Sequence, residues 1–367
     1  MTNEIAWAEP EIGEEELNEV IDTFHSGWLT AGPKVQRFEE LMAEYLQVPH
    51  AVALTNGTVA LDILYKVLGI GVGDEVIVPS MTYMATAAAV CYQCAIPVFV
   101  DIESNSWNLD PARIEEAITE KTKAIVFIDY GGNPADIENI KEIASRYHIP
   151  LIRDGAQSLG GISNGIPLCG FGALASTISF HSAKVMTCIE GGMVVTHDLG
   201  IAEEVRIRRN HGEQGKYFHR YLGTNGRMSD LTAGIGIRQL SKLPEMLSER
   251  QRVADLYNES FCQIESITTV ECKRKNSRNA WFFYPILVDR RDELASRLSQ
   301  KGIDTRIAYP MPVYEQEVFQ SGREDYVAFS SPEAETFANK VLNLPIFPSL
   351  SNGDIEKIVN TVVDFVA

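Results

Sequence analysis

An α/β fold built on a mostly parallel seven-stranded sheet, with a smaller C-terminal α+β region, is what this sequence predicts. Three observations predict it. Nearly continuous apolar runs recur at residues 51–54, 75–79, 97–101, 124–129, 149–153, 174–180 and 192–196. Strands buried on both faces read this way, because helices cover each side of a parallel sheet. Between most runs lie stretches with helical spacing: Ala60, Ile63, Leu64, Val67 and Leu68 form one stripe, and Ile137, Ile140, Ile143 and Ala144 another. Polar residues suited to chemistry stand where runs end, and the C-terminal strand ends are where such sheets collect ligands.

Taken in order, the first run leads through Thr55-Asn56-Gly57-Thr58 into the first stripe. A phosphate suits this turn, because the first N–H groups of a helix are free and the dipole is positive there. The same residues also read as an ordinary helix cap. The second run ends in residues 79–86, where Tyr83 either stacks on a flat ring or packs between sheet and helix. Residues 87–92 predict a buried helix. The run at 149–153 delivers Asp154 and, a short turn later, Gln157. The run at 174–180 delivers Ser179 and then Lys184 in an exposed turn, before Glu190-Gly191-Gly192 opens the last run. Strong helix formers over 229–256 predict a long helix and a hinge between two domains, residues 1–240 and 241–367. Beyond it come a strand over 281–288, a helix over 291–301, an extended piece over 304–309, a polar surface loop over 315–328 and a closing helix over 354–366.

The chain has 367 residues, of which 45% are hydrophobic and 22% charged, an ordinary globular composition. No apolar stretch approaches the roughly 18 residues of a membrane span. Residues 1–4 have neither the basic cluster nor the apolar core of an export signal. A formal net charge of −18 argues against nucleic acid or an anionic membrane as a general partner. The six cysteines (Cys91, Cys94, Cys169, Cys188, Cys262 and Cys272) are scattered, so a reduced, cytoplasmic chain is expected. Cys91 and Cys94 have redox spacing but fall in the buried-helix segment, and they read as core. With no second Cys or His pair to complete a zinc site, no metal is expected.

Two residues carry the chemical reading. A lysine that can form an imine and a carboxylate that can pair with a pyridinium nitrogen are what a pyridoxal phosphate enzyme needs. Lys184 and Asp154 stand at two strand ends of one sheet. Thr58 and Ser179 offer hydroxyls to a phosphate, and Gly57 lets the backbone approach it.

In this order, the motifs resemble those of the DegT/DnrJ/EryC1/StrS family of aminotransferases. The resemblance begins at Gly27-Trp28-Leu29-Thr30-Ala31-Gly32-Pro33 and continues through residues 71–80 and the aspartate and lysine motifs. Residues 221–231, 308–312 and 344–348 extend it nearly to the C-terminus. It implies a fold-type-I pyridoxal-phosphate enzyme, a homodimer with active sites at the subunit interface. It implies Lys184 as the Schiff-base lysine, Asp154 as partner of the ring nitrogen, Gln157 at the ring oxygen and Tyr83 stacked on the ring. Gly57, Thr58 and Ser179 would hold the phosphate, with Asn225 reaching it from the neighbouring subunit. Thr30 and Gly32 fall in a segment that borders the family's substrate pocket, and loops near His181, Arg220 and Tyr314 are expected to contact the substrate, although His181 reads equally as a packing histidine with no direct role. The chain departs from the pattern at Arg153-Asp154-Gly155-Ala156, where Glu-Asp-Ala-Ala is usual, and at Asn56, where Ser is commoner. It departs again at Val313-Tyr314, where the usual histidine is missing. The changes at Arg153 and Tyr314 bear on the substrate.

The implied activity is transfer of an amino group from L-glutamate to a nucleotide-linked keto sugar, in polysaccharide or O-antigen biosynthesis. The form running from Ser179-Phe180-His181 through Lys184 and Thr187 to Glu190-Gly191-Gly192 is more similar to members that aminate C4 of a 4-keto-6-deoxy sugar. Members acting at C3 more often have Tyr at position 181 and Gly-Asp at 189–190. A keto-cyclitol aminotransferase would share every cofactor residue, whereas a dehydratase of the family usually has His in place of Lys184. A non-catalytic, cofactor-binding regulatory protein is the reading from another class. The acidic charge and the absence of a helix-turn-helix segment weigh against its binding DNA.

Overall fold

The computed structural model describes residues 4–270 and 276–366; Cys272 lies outside them. Each of the seven apolar runs forms a strand. They are β1 (His50–Leu54), β2 (Glu75–Pro79), β3 (Ile96–Val100), β4 (Thr122–Ile128), β5 (Leu151–Asp154), and, after a short hairpin of β6 (Ile162–Ser163) and β7 (Ile166–Pro167), β8 (Ala175–Ser179) and β9 (Gly192–Thr196). The C-terminal part adds β10 (Ile267–Thr269), β11 (Tyr284–Val288), β12 (Val327–Ala328) and β13 (Val341–Leu344).

The main sheet has eight strands rather than seven, in the order β1-β9-β8-β5-β4-β2-β3-β12. Only β9 runs antiparallel to its neighbours, β1 and β8. The eighth strand comes from the stretch expected to be a polar surface loop. Val327 and Ala328 pair in parallel with Val98 and Phe99, and Glu317–Gln320 is a short helix. Three aromatic rings hold this stretch down: Tyr314, Phe319 and Tyr326 all pack around Phe99, with centroids 5.9, 5.3 and 6.1 Å away. Polarity on average therefore concealed a specific apolar anchor.

Helices cover both faces, as the stripes require. Ala60, Ile63 and Leu64 are buried on the helix Gly57–Val67, with Val67 and Leu68 half-buried, and Ile137, Ile140, Ile143 and Ala144 are buried on Ile137–Arg146. The cysteine pair departs from expectation. The helix Met84–Cys91 ends at Cys91, which is half-buried, and Cys94 is exposed in a left-handed turn at φ 56°.

The long helix runs from Asp230 to Phe261, so residue 240, the expected division, falls inside it. It packs on the helices Glu14–Ser26, Pro33–Leu46 and Asn352–Val366. Its buried Arg250 donates from Nη1 to the carbonyls of Trp281 and Ile346, each at 2.9 Å. β10, β11 and β13 form a separate antiparallel sheet. The strand predicted over 281–288 begins only at Tyr284. Before it, the N–H groups of Ala280 and Phe282 donate to the carbonyls of Gly132 and Gly131 at 3.1 and 2.8 Å. Those bonds carry Phe282 and Phe283 onto the edge of the main sheet's site. Among the described residues no helix is long and apolar enough to cross a membrane.

Candidate active site

A cavity of about 540 Å³ opens at the C-terminal ends of β2, β4, β5 and β8, the place the fold class assigns to ligands. Lys184 and Asp154 both line it, together with Gly57, Thr58, Tyr83, Gln157, Ser179 and His181. Eight of the thirteen residues singled out from sequence are thus brought together.

Asp154 ends β5 and is buried. Its Oδ2 accepts a hydrogen bond from Thr86 Oγ1 at 2.7 Å, and its Oδ1 accepts one from Ala156 N at 3.2 Å. Burial pushes its carboxyl above the ordinary range, and these two bonds and the charge of Lys184 oppose that rise. No ion pair to Asp154 exists among the described residues; Lys184 acts on it only through space. Lys184 is half-buried rather than exposed, and its Nζ stands 4.2 Å from the centre of the Phe282 ring. Removal from water lowers its ammonium to about 8, against the pull of Asp154. A substantial neutral fraction is therefore available near pH 8, which a nucleophilic or proton-accepting amine requires.

The opposite end of the cavity suits a dianion. Asn56 caps the helix Gly57–Val67 through Oδ1, which accepts from Val59 N at 2.9 Å, so the Asn found where Ser is commoner has a local task. The N–H groups of Gly57 and Thr58 make no backbone hydrogen bond among the described residues. They are joined by the hydroxyls of Thr58 and Ser179. A Cβ on Gly57 would lie 3.0 Å from Ser179 Cβ, and one on Gly192 only 2.2 Å from Asn56 O. Gly192 is therefore needed for the strand ends to close up beneath this cradle, and a side chain at Gly57 would crowd Ser179. Free helix-terminal donors, two hydroxyls, a buried carboxylate and a desolvated amine are a donor set that fits pyridoxal phosphate.

The walls include residues that sequence reasoning missed. Tyr309, Phe282 and Phe283 come from the C-terminal part, and Thr82 from the turn after β2; Glu190, already part of the lysine motif, lines the cavity too. Gln157 accepts from Gly131 N at 2.7 Å and donates from Nε2 to the Tyr309 hydroxyl at 3.2 Å, which fixes its amide in one orientation. Tyr83 stands 60% exposed at the rim, its ring 6.1 Å from that of Tyr309. His181 accepts from Ala183 N on Nδ1 at 3.2 Å, which leaves Nε2 as the protonated nitrogen of the neutral ring, 3.9 Å from Glu190.

Five expected residues lie outside the cavity. Gly32 N donates to Asp230 Oδ1 at 2.8 Å and Thr30 O accepts from Asp230 N at 3.1 Å, so this segment binds the start of the long helix. Arg220 and Asn225 are exposed on the loop after the helix Leu199–Arg208, and Arg220 Nη1 donates to Gln214 at 3.1 Å. Tyr314 packs on Phe99 and does not line this cavity. Arg153 points away too, as alternation along a strand dictates when Asp154 points in. It is wholly buried, paired to Asp129 at 3.0 Å and stacked 4.8 Å from the Phe127 ring. Its departure from the family pattern belongs to the core.

Fold and cavity together define a pyridoxal-phosphate-dependent transferase of the α/β type. The chain belongs to the DegT/DnrJ/EryC1/StrS aminotransferase family, which matches it over residues 10–363. GDP-perosamine synthase of Escherichia coli O157:H7 is 36% identical over 361 residues, covering 96% of this chain and 94% of that protein. The dTDP-3-amino-3,4,6-trideoxy-alpha-D-glucose transaminase of Streptomyces venezuelae is 35% identical over 338 residues, covering 92% and 88%. The PLP form of Spr1654 from Streptococcus pneumoniae superposes with a TM-score of 0.92 at 28% identity, over 99% of this chain and 100% of that one. The protein is an aminotransferase and its cofactor is pyridoxal phosphate, which sets aside the non-catalytic binder.

Proposed function

We propose that this aminotransferase moves the amino group of L-glutamate onto the 4-keto group of a nucleotide-linked 6-deoxy sugar, in the cytoplasm and as a homodimer. The observation that carries the reading is the placing of Lys184 and Asp154 in one cavity with a helix N-terminus whose first N–H groups make no backbone hydrogen bond among the described residues. Bound there, pyridoxal phosphate supplies an electron sink for the carbanion left at the amino acid's Cα. Gly57, Thr58 and Ser179 hold its phosphate, Tyr83 covers its ring, Gln157 meets its ring oxygen, and Asp154 keeps its ring nitrogen protonated. Lys184 Nζ, neutral in part near pH 8, takes the proton from Cα of glutamate and later returns one to the sugar carbon. Phe282, Phe283 and Tyr309 exclude water from that transfer.

The choice of the 4-keto position rests on the sequence form around His181 and Glu190, which stand side by side at the cavity mouth. The relative whose name specifies a 3-amino product is 35% identical, so overall identity leaves a 3-keto substrate as the second reading. The dimer is supported by an exposed apolar stripe (Leu17, Ile21, Phe24 and Trp28) along and just beyond the helix Glu14–Ser26. Such a stripe at helical spacing fits a protein contact. Asn225, exposed and outside its own cavity, is then free to reach a partner's phosphate. The two-domain division near residue 240 is part of the same proposal.

Incubation with glutamate and a panel of keto-sugar nucleotides, followed by mass spectrometry and NMR of the product, tests the reading. An amine on C4 of a 6-deoxyhexose is the expected product. An amine on C3, or no conversion of any sugar nucleotide while glutamate is consumed, overturns the substrate.

A further inference from the structure

Asp154 is held by a chain of two hydroxyls, the nearer from Thr86, which is not among the cavity's lining residues, and the farther from Thr82, which is. Thr86 Oγ1 donates to Asp154 Oδ2 at 2.7 Å, and Thr82 Oγ1 lies 2.8 Å from Thr86 Oγ1. All three side chains are buried. A hydroxyl has a single proton. Thr86 gives its proton to the carboxylate, so the bond to Thr82 is one in which Thr82 donates. With Asp154 ionised, the chain runs one way, from Thr82 through Thr86 to Asp154.

Thr86 sits inside the helix Met84–Cys91. A threonine in a helix can turn its hydroxyl back onto the carbonyl three or four residues before it. Here it points across to the end of β5. A β-branched side chain has few rotamers to choose from, so the direction is built in.

We propose that Thr86, backed by Thr82, is the positioning residue that fixes the orientation of the Asp154 carboxylate at the cavity wall for pairing with the ring nitrogen. The inference rests on the reading of Asp154 as partner of the ring nitrogen. Oδ2 is occupied by the hydroxyl, which leaves Oδ1, with its longer bond to Ala156 N, as the less tightly held oxygen of a carboxylate that lines the cavity. The charged and titratable groups coupled to Asp154 among the described residues include Lys184 from the β8–β9 turn, Asp129 from the end of β4, Tyr65 from the helix Gly57–Val67, Cys169 from the turn after β7 and Tyr309 from the C-terminal part. Of the hydrogen bonds to its carboxylate, Thr86 makes the shorter.

The test compares Thr86→Val, which keeps the branched shape and removes the hydroxyl, with Thr86→Ser, which restores it. Asp154→Asn serves as the reference. Two readouts apply: the dissociation constant for pyridoxal phosphate, and the 15N shift of the ring nitrogen in holoenzyme loaded with labelled cofactor. Thr86→Val is expected to weaken cofactor binding on the order of tenfold, the value of one charge-assisted bond, and to move the 15N signal towards the unprotonated position. Thr86→Ser is expected to stay within about threefold of the parent with the parent's signal. Thermal melting of the apoproteins checks that each variant is folded, and Thr82→Val, with a smaller shift in the same direction, provides a second line if Thr86→Val does not fold. A parental 15N signal and affinity in Thr86→Val while Asp154→Asn loses both would overturn the role of Thr86 alone. Equal loss in the Val and Ser variants would reduce Thr86 to packing. A parental signal in Asp154→Asn would overturn the underlying reading and the inference with it.

Discussion

Asp129 and Asp154 end neighbouring strands of the same sheet, both wholly or nearly wholly buried, and the fold treats them in opposite ways. Asp129 follows β4 and is completed by the protein. Arg153 pairs with its Oδ2 at 3.0 Å, Ser158 Oγ donates to the same oxygen at 2.5 Å, and Ala135 N donates to Oδ1 at 2.8 Å. Asp154 receives two hydrogen bonds and no ion pair among the described residues. One carboxylate is structure; the other is an unfinished charge pair open to a cavity. A buried carboxylate without a cation is costly, so its persistence beside a desolvated lysine points to a cationic ring that arrives from outside. Successive strand residues, Arg153 and Asp154, divide the two tasks between the two faces of the sheet.

The comparison breaks most visibly at the reacting groups. Lys184→Ala is expected to lower the glutamate half-reaction by on the order of 10⁴-fold, the upper range for a positioned acid–base group, as followed by the change in cofactor absorbance. Asp154→Asn is expected to lower kcat by about 10²–10³-fold, comparable with loss of one preorganised electrostatic group. The same replacement should leave the apoprotein's urea midpoint nearly unchanged, because it removes an unpaired buried charge.

Asp129→Asn or Arg153→Met should do the reverse. Each strands one member of a buried ion pair and is expected to cost about 3–5 kcal/mol in urea unfolding, while the folded fraction keeps its turnover. The double variant is expected to lose less than the sum, since neither charge is then left alone. If Asp154→Asn proved as destabilising as Asp129→Asn, the distinction between the two carboxylates would fail.

A smaller effect concerns pH. Burial lowers Lys184 to about 8, so the rate at which apoprotein takes up pyridoxal phosphate should rise about tenfold per unit below pH 8 and level off above it. A plateau reached only near 10.5, the ordinary lysine value, would mean that the amine is not desolvated as described. For the apoprotein the sign is fixed as well. The unfolded lysine holds its proton to higher pH than the folded one, so this residue's contribution to stability improves as pH rises from about 8 towards 10.5. The smallest effect is expected at the phosphate end: Ser179→Ala should weaken cofactor binding by roughly tenfold or less, measured by fluorescence titration.

Much of this was legible in the sequence because the signals are local. Strands buried on both faces are unbroken apolar runs, and all seven are found. Lys184, Asp154 and the Asn56–Thr58 turn stand next to strand ends, so a one-dimensional reading places them. The parts it missed depend on where distant side chains point. Phe282 reaches Lys184 only because Ala280 and Phe282 bond to the carbonyls at Gly132 and Gly131, which no spacing announces. Thr86 looks like any helical threonine until its hydroxyl is traced to Asp154. Tyr314 lies in a recognisable motif, yet its ring turns onto Phe99, and β12, two residues long, is too short to show a period.

Reduction of the holoenzyme with borohydride, followed by tryptic digestion and mass spectrometry, tests the central claim most directly. The phosphopyridoxyl mass is predicted on the peptide containing Lys184. The same mass on any other lysine, or no labelled peptide from a protein that turns over glutamate, would contradict it.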